Sequence, residues 1–233
     1  MTRPAPIITL DGPGGAGKGT LASQLSEWLG WFLLDSGALY RLVGLRALRD
    51  GLDPEVAEDR RQAVEVARQL AIRFVPGGQQ GQRVELAGED VTDAIRSDSV
   101  AEAASRWAVQ PEIREALLER QRAFVAPPGL IADGRDMGTA IFPNADLKLY
   151  ITASAAERAE RRYAQLSEMG VAANLEQIYR EIVERDERDA SREASPLKPA
   201  VDACVIDTTG ESVAASWQKI RDLVAAKGWL PLR

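Results

Sequence analysis

Between positions 12 and 20 the chain reads Gly12-Pro13-Gly14-Gly15-Ala16-Gly17-Lys18-Gly19-Thr20, directly after an apolar run at residues 7–10. A buried strand, a glycine-rich loop and a helix, in this order, form a cradle for nucleotide phosphates. The loop turns its backbone N–H groups inward, and the helix presents its positive end to the anion. Lys18 adds a mobile charge for the outer phosphates, and Thr20 offers a hydroxyl near magnesium. The loop therefore predicts a nucleotide site, without indicating which nucleotide.

The loop departs from the usual pattern at one position. Gly19 stands where a serine or threonine normally follows the lysine, and Thr20 comes one place later. This spacing leaves open whether Thr20 binds magnesium directly. A plain turn between a strand and a helix is the alternative. The density of glycines, the lysine and the helical pattern at residues 21–29, which Gly30 can end, favour phosphate binding.

The composition is that of a globular enzyme. Of the 233 residues, 45% are hydrophobic and 27% charged, which is ordinary for a globular domain. The apolar runs are short compared with a membrane span, and no basic-then-apolar signal opens the chain, so we expect no membrane partner. The single cysteine, Cys204, excludes an internal disulfide and a cysteine metal cluster. We therefore expect a cytoplasmic protein.

The charge balance argues against a nucleic-acid partner. The net charge is −6, whereas a general nucleic-acid surface needs a basic excess. Most of the basic residues are arginines, which suit bidentate contacts to phosphate. A GC-rich genome would produce the same bias, so the placement of the arginines is more informative than their number.

The chain contains no histidine. This excludes Ser-His-Asp triads, histidine metal sites and histidine general bases. Phosphoryl transfer to a phosphate needs none of these, because a phosphate monoester has a second pKa of about 6 and is already ionised at neutral pH. The absence of histidine therefore favours a phosphate acceptor over a hydroxyl acceptor.

Alternating patterns along the chain predict an α/β fold. Apolar runs suited to buried strands lie at residues 7–10, 31–34, 130–132, 147–151 and 203–206. Helical patterns lie at residues 21–29, 110–124, 155–169, 175–192 and 213–226. These elements predict a doubly wound, five-stranded parallel sheet. Asp11, Asp35 and Asp133 follow strands and should lie at the carboxyl edge of the sheet, where ligands bind.

Residues 72–95 break this alternation. Short alternating runs are joined there by turn residues, which predicts a small antiparallel β unit inserted between the second and third strands of the sheet. A hairpin without a functional role is the alternative.

Two segments after strands carry candidate binding residues. In residues 35–41, Ser36 can cap a helix, while Tyr40 and Arg41 lie one turn further on, where Arg41 can reach an anion. In residues 130–138, Asp133 is placed to hold a metal-bound water and Arg135 to hold a phosphate. A strand followed by an Asp-Gly turn would look similar in a protein without this function.

Two arginine-rich helices follow. Arg158 and Arg162 share a face of the first helix, with Arg161 beside them. On the second helix a stripe is formed by Arg185, Arg188, Asp189 and Arg192. A solvated face with pairs such as Arg185–Asp189 is one interpretation. The other is a helical lid whose arginines close over phosphates and exclude water.

Four segments together resemble the bacterial cytidylate kinases, a branch of the P-loop nucleoside monophosphate kinases. They lie at residues 12–20, 33–41, 131–139 and 184–189. The first is shared by many nucleoside monophosphate kinases, whereas the second and third are more specific to the cytidylate branch. The resemblance covers essentially the whole chain, including the insert.

The resemblance implies a magnesium-dependent kinase that transfers the γ-phosphoryl group of ATP to CMP and dCMP, giving CDP or dCDP and ADP. It assigns ATP to the loop at residues 12–20, and it places Arg158 and Arg162 near the base and phosphates of ATP. Thr20 and Asp133 would lie at the Mg²⁺ ion, Asp133 through a water. Four residues are expected to act in catalysis by neutralising charge: Lys18, Arg135, Arg162 and Arg192.

The resemblance also assigns the CMP contacts. The phosphate and its surroundings would be held by Ser36, Tyr40, Arg41, Arg135 and Arg192. Cytosine would be read by Ser105, Arg114 and Asp136, since its amine needs an acceptor and its carbonyl and ring nitrogen need donors. Arg185 and Asp189 match the positions that contact the sugar.

The expected organisation is one P-loop kinase domain and, by resemblance, a monomer. Its core would span about residues 1–40, 107–155 and 196–233, with a monophosphate-binding insert at 41–106 and a lid at 156–195. A shikimate-type kinase shares the glycine loop but gives no reason for the insert or the three arginine clusters. A regulatory nucleotide switch is the second alternative, although a switch needs no second phosphate site.

Overall fold

The computed structural model describes residues 5–76 and 82–231, which form both strands and helices. In chain order the elements are β1 (Ile7–Asp11), α1 (Lys18–Leu29), β2 (Phe32–Asp35), α2 (Ser36–Asp50), α3 (Ala57–Gln69), β3 (Ile72–Pro76), β4 (Gln82–Leu86), β5 (Glu89–Asp90), α4 (Asp98–Trp107), α5 (Pro111–Arg122), β6 (Leu130–Asp133), β7 (Leu147–Thr152), α6 (Ala155–Glu168), α7 (Leu175–Ser191), β8 (Cys204–Asp207) and α8 (Val213–Ala226). A π-helical turn, Met137–Ile141, follows β6.

The residues group into two units. The first, called here the sheet unit, contains Met1–Leu34 and Phe124–Arg233, and the second, the insert unit, contains Asp35–Ala123. The predicted insert at 41–106 falls within the insert unit. The predicted lid, now α6 and α7, belongs to the sheet unit. The proposed boundaries of core, insert and lid remain a prediction.

The sheet is built from the five predicted runs, in the order β2-β6-β1-β7-β8. It is parallel, as predicted, and Ile8 of β1 lies opposite Ile131 of β6 on one side and Leu147 of β7 on the other. β1 is the middle strand, and its residues 8–11 are all buried because neighbours lie on both sides and helices cover the faces. Each of these five strands ends one residue later than the sequence predicts. Asp11 and Asp133 are therefore the last residues of β1 and β6.

Helix α1 covers one face of this sheet. Leu21, Ala22, Leu25 and Leu29 form its buried stripe and pack into a core that includes Ile8, Ile151, Ile220 and Val224. The helix begins at Lys18, three residues earlier than the apolar pattern predicts, because the end of the loop already forms its first turn. Gly30 ends it in the left-handed conformation, as expected.

The insert unit contains the predicted small antiparallel sheet. β3 pairs with β4, with Phe74 opposite Val84, and β4 pairs with β5. The predicted turn that joins β3 to β4 lies at residues 77–81, outside the described residues. Four helices, α2 to α5, make up the rest of the unit, and α2 and α4 come so close that a Cβ added at Gly44 would lie 2.8 Å from the Ala104 nitrogen. The sequence had predicted α5 and the start of α2.

The two helices of the predicted lid, α6 and α7, lie side by side within the sheet unit. An apolar groove of about 390 Å³ separates parts of α6 and α7 and is lined by Ala156, Ala159, Glu160, Leu175, Glu176 and Tyr179. Across the described part of the chain, every helix is too short or too polar to cross a membrane.

Candidate active site

The glycine loop connects β1 to α1 at the carboxyl end of the sheet. Gly12 has a φ of 142°, and a Cβ at this position would lie 1.9 Å from the carbonyl oxygen of Ile151 in β7. Only glycine can occupy this position, since any side chain would overlap the neighbouring strand. Gly17, with a φ of 88°, then precedes the first turn of α1. The predicted strand, loop and helix are all present.

Lys18 lies inside the curve of the loop. It is 6% exposed, and its Nζ donates to the carbonyl oxygen of Pro13 over 2.7 Å. Burial and the charge of Arg135 lower the pKa of Lys18 to about 7, although Asp133 and Asp11 act in the opposite direction. Burial of the Lys18 ammonium group at the loop therefore costs free energy, and a bound anion would offset that cost.

Arginines from three segments surround Gly14. Arg158 of α6 is buried, and its Nη1 donates to the Gly14 carbonyl oxygen over 3.1 Å and to Asp186 over 3.0 Å. A Cβ at Gly14 would lie 3.2 Å from Nη2 of Arg135 and 3.8 Å from Nη1 of Arg185. The structure therefore brings these three predicted residues to the phosphate loop, together with Lys18.

The other arginines of α6 differ from Arg158. Arg162 lies one turn further along the same helix and is half-buried, and its predicted role at ATP remains a prediction. Arg161 donates to the carbonyl oxygen of Thr208 over 2.7 Å and pairs with Glu157. Arg161 thus ties the lid helix to the residue that follows β8.

Asp189 is the centre of a buried ion cluster. Its carboxylate accepts from Nε of Arg135 over 2.9 Å, and Nη2 of Arg192 lies 3.7 Å away. Burial alone would raise the pKa of Asp189, but the charges of Arg135 and Arg192 lower it below its usual value. Asp189 and Arg192 are 6% and 8% exposed, so this stripe of α7 is not a solvated face. The Asp189 carboxylate pairs instead with Arg135, in the segment after β6.

Asp11, which was predicted only to lie at the carboxyl edge of the sheet, is buried. Its two carboxylate oxygens accept from the backbone N–H groups of Met137 and Gly138, over 2.7 and 2.8 Å. Burial raises its pKa to about 6, the two N–H groups oppose this shift, and the charge of Asp136 adds to it. The position of Asp11 directly before Gly12 was the sequence signal that could have indicated a role at the site. Asp136, predicted to read cytosine, is buried at the start of the same π-helical turn.

The two residues expected at magnesium lie near the start of α1. Asp133 ends β6, and a Cβ at Gly19 would lie 3.7 Å from its Oδ2. Thr20 is exposed in the first turn of α1. Within residues 5–76 and 82–231, no group of three or more His, Cys, Asp or Glu side chains is arranged to hold a metal.

Within the insert unit, the prediction that Ser36 caps α2 is wrong. Asp35 is the capping residue, and its Oδ1 accepts from the Ala38 nitrogen over 3.1 Å. Both residue types form caps, and the carboxylate takes this position because α2 begins at Ser36, directly after β2, so that Asp35 is the residue before its first turn. Ser36 is buried in the first turn of α2, where its Oγ donates to Oε1 of Gln121 over 2.6 Å.

The remaining predicted CMP residues of the insert unit lie on α2, α4 and α5. Arg114 donates to the Ala108 carbonyl oxygen over 3.2 Å, and its guanidinium lies 5.6 Å from the centroid of the Tyr40 ring. Arg41 donates to the Ile95 carbonyl oxygen over 3.4 Å. Ser105 is 6% exposed, and its Oγ has no hydrogen-bond partner among the residues described here.

Comparison with known proteins adds an independent line of evidence. The family model for cytidylate kinase matches residues 8–226. The cytidylate kinase of Shewanella loihica is 52% identical over 210 residues, which is 90% of this chain and 90% of that protein. The cytidylate kinase of Shewanella denitrificans is 49% identical over 227 residues, or 97% of this chain and 99% of that protein.

A solved structure of TT1252 from Thermus thermophilus covers 97% of this chain and 98% of its own, with a TM-score of 0.45 and 17% identity. This likeness is too weak to argue from. The family match and the identity of about half, each over almost the full length, confirm the resemblance seen in the four sequence segments. This chain belongs to the cytidylate kinase family.

Proposed function

We propose that this protein transfers the γ-phosphoryl group of ATP to CMP, and also to dCMP, giving CDP or dCDP and ADP. The observation that carries the proposal is the cationic cluster at the phosphate loop of a cytidylate kinase family member. Lys18, Arg135, Arg158 and Arg185 all lie around residues 13 and 14, where Arg158 pairs with Asp186 and Arg135 pairs with Asp189. Four cationic side chains that converge on one glycine loop fit a polyanionic ligand.

ATP is the phosphoryl donor. We assign its phosphates to the loop at residues 12–20, where the first N–H groups of α1 and the Nζ of Lys18 are available. Lys18 exchanges its bond to Pro13 for a bond to a phosphate oxygen. Arg158 already lies against Gly14 and needs little movement to contact the phosphates, and we assign Arg162 to the same group.

A magnesium ion fits the oxygen chemistry at the start of α1. Mg²⁺ prefers a few carboxylate or hydroxyl ligands together with waters and nucleotide phosphates. Thr20 and Asp133, the latter through water, are the residues that would hold it. Bound there, the ion would neutralise charge on the ATP phosphates.

The acceptor residues are carried by both units. In the sheet unit we assign the CMP phosphate to Arg135 and Arg192, the sugar to Arg185 and Asp189, and the cytosine amine to Asp136. In the insert unit we assign the phosphate to Ser36, Tyr40 and Arg41, and the base to Ser105 and Arg114. The buried Ser105 hydroxyl supports this assignment, because a polar atom without a protein partner is suited to a ligand.

The reaction needs positioning and charge neutralisation and no general base. An oxygen of the CMP phosphate is already ionised at neutral pH, and it attacks the γ-phosphorus in line with the leaving ADP oxygen. Lys18, Arg135, Arg162 and Arg192 stabilise the charge that spreads over the transferred group. The absence of histidine is consistent with this chemistry.

An ADP-release assay with ATP-Mg and one acceptor at a time tests the proposal. The acceptors are CMP, dCMP, UMP, AMP, GMP and shikimate. We expect fast turnover with CMP and dCMP alone. Equal turnover with UMP or AMP would contradict the cytosine contacts, turnover with shikimate alone would indicate the other kinase class, and ATP binding without any turnover would indicate a switch. We also propose that the protein is a cytoplasmic monomer, which light scattering and cell fractionation can test.

A further inference from the structure

The side chain of Asp11 holds the segment that carries Arg135 and Asp136 against β1. Asp11 is 3% exposed, and both of its carboxylate oxygens accept backbone N–H groups, from Met137 and from Gly138. These are charge-assisted bonds to consecutive amides directly after Asp136. The residue that follows Asp11 is Gly12, the first residue of the phosphate loop.

Contacts with β1 lie on either side of Arg135 and Asp136 in the sequence. A Cβ at Gly138 would lie 2.9 Å from Thr9 Oγ1, 3.1 Å from Lys148 Cδ and 3.2 Å from Asp11 Oδ2, so the turn lies directly against β1. At the start of the segment, the Gly134 N–H donates to the Leu10 carbonyl oxygen over 3.0 Å, and the fully buried Met137 side chain packs against Gly134. Arg135 and Asp136 therefore lie between a backbone bond to β1 on one side and the two bonds to Asp11 on the other.

We propose that Asp11 is a positioning residue for the acceptor: by holding the amides of Met137 and Gly138, it sets the placement of Asp136 and Arg135 relative to the phosphate loop. Both carboxylate oxygens are engaged with the turn, which favours this role over a direct part in the reaction. The inference rests on the proposed function for its consequence in catalysis. The anchoring of the turn itself does not depend on that function.

Asp11→Asn tests the proposal with little change in shape. The amide retains one acceptor oxygen and turns an N–H₂ group toward one backbone N–H, so one of the two bonds is lost. We expect the ratio of kcat/KM for CMP over UMP to fall about tenfold, because small misplacements of binding groups have effects of this size or larger. KM for CMP should rise, while the dissociation constant of ATP should stay within about twofold.

Asp207→Asn is the matched control. Asp207 also ends a parallel strand, β8, and also accepts a backbone N–H, from Thr209 over 2.9 Å, but it holds no residue assigned to a substrate. We expect the CMP preference of this variant to equal that of the wild type. An Asp11→Asn variant with the CMP preference and CMP KM of the control would overturn the proposal.

A double-mutant cycle separates positioning from general destabilisation. If Asp11 acts through Asp136, Asp11→Asn should change the CMP over UMP ratio by less than about twofold in an Asp136→Asn background. Full additivity of the two substitutions would overturn the proposal. If Asp136→Asn alone leaves the base preference intact, the assignment of Asp136 to cytosine fails, and that failure belongs to the proposed function.

Hydrogen exchange measures the anchoring independently of activity. In Asp11→Asn, amide exchange should rise in peptides that cover residues 134–141 and stay unchanged in those covering β7. Gly138→Ala, which keeps the carboxylate and pushes the turn away from Thr9, should give the same pattern and the same loss of base preference. If Asp11→Asn does not fold, Gly138→Ala decides the question. Unchanged exchange in the variant that folds would overturn the proposal whatever the substrate proves to be.

Discussion

The Nζ of Lys18 is bonded to the carbonyl oxygen of Pro13, five residues earlier in the same loop, over 2.7 Å. The ammonium group is therefore buried and oriented before a nucleotide binds. Its placement links the binding chemistry of the loop to the stability of the fold, because a buried charge weakens the folded state unless an anion accompanies it.

Lys18→Met should lower kcat by about a thousandfold, because an electrostatic contact to the transferred group is lost. The same variant should be more stable than the wild type at pH 7. With a folded pKa of about 7 and a usual value of 10.5, Lys18 disfavours folding fully below pH 7 and progressively less as the pH rises to 10.5. The stability gain should therefore shrink between pH 7 and pH 10, which urea unfolding at several pH values measures. Near-normal turnover, or a gain that grows with pH, would contradict the prediction.

Ser105→Ala should weaken CMP binding without destabilising the fold. Its Oγ has no partner among the described residues, so the substitution should leave the free energy of unfolding almost unchanged while raising KM for CMP. Ser36→Ala is the matched comparison, since its Oγ donates to buried Gln121, and its loss should destabilise the fold by about 1–3 kcal/mol. Thermal melts and CMP titrations check both. A stability loss in Ser105→Ala equal to that of Ser36→Ala would show an unsuspected structural role.

Asp189→Asn should leave Arg135 and Arg192 with a neutral partner in a buried setting. Removing one member of a buried ion pair typically costs about 3–5 kcal/mol, and we expect a loss of this order. Because the pKa of Asp189 is lowered in the folded state, its contribution is present above the usual pKa of 3.8 and is lost as the pH falls through the lower, folded value. Acid unfolding should therefore be less steep in the variant. Added tripolyphosphate should stabilise the variant more than the wild type, and equal stabilisation would contradict this account.

Gly19→Ala should test the position where a hydroxyl residue is usual. A Cβ there would lie 3.7 Å from Asp133 Oδ2, an ordinary contact, so the fold should tolerate it and α1 should gain up to about 1 kcal/mol in helix propensity. The methyl group would, however, occupy space beside the carboxylate assigned to magnesium. We expect the Mg²⁺ concentration for half-maximal activity to rise several-fold, and an unchanged value would remove Asp133 from the metal site.

The sequence predicted the parts of the fold that local patterns determine. α8 has the predicted bounds, Val213–Ala226, because its apolar spacing begins directly after a capping serine, Ser212. The five strands were recognisable because buried parallel strands are continuous apolar runs. The position of Asp11 at the sheet edge was predicted, but its bonds to the turn were not, because its partners lie 126 and 127 residues away, a distance over which spacing gives no signal.

The ion pair between Arg135 and Asp189 also joins residues that lie far apart in the sequence, so spacing along the chain does not predict it. Asp189 was expected either to pair with Arg185 on its own helix or to contact the sugar, and the structure pairs it with Arg135 and Arg192. The choice between Asp35 and Ser36 as the cap depended on the first residue of α2, and helix boundaries are poorly determined by sequence. The roles of the site residues toward ATP and CMP remain predictions.

The clash at Gly12 has a consequence for how this loop is compared between relatives. The atom that forbids a side chain there belongs to the backbone of Ile151, in β7, and not to a nucleotide. The requirement for glycine therefore comes from the way β1 lies against β7, and it would persist in a descendant that had lost ATP binding. A glycine at position 12 is evidence for the fold. A loss of catalysis would instead be visible as substitutions at Lys18 and at the arginines around Gly14.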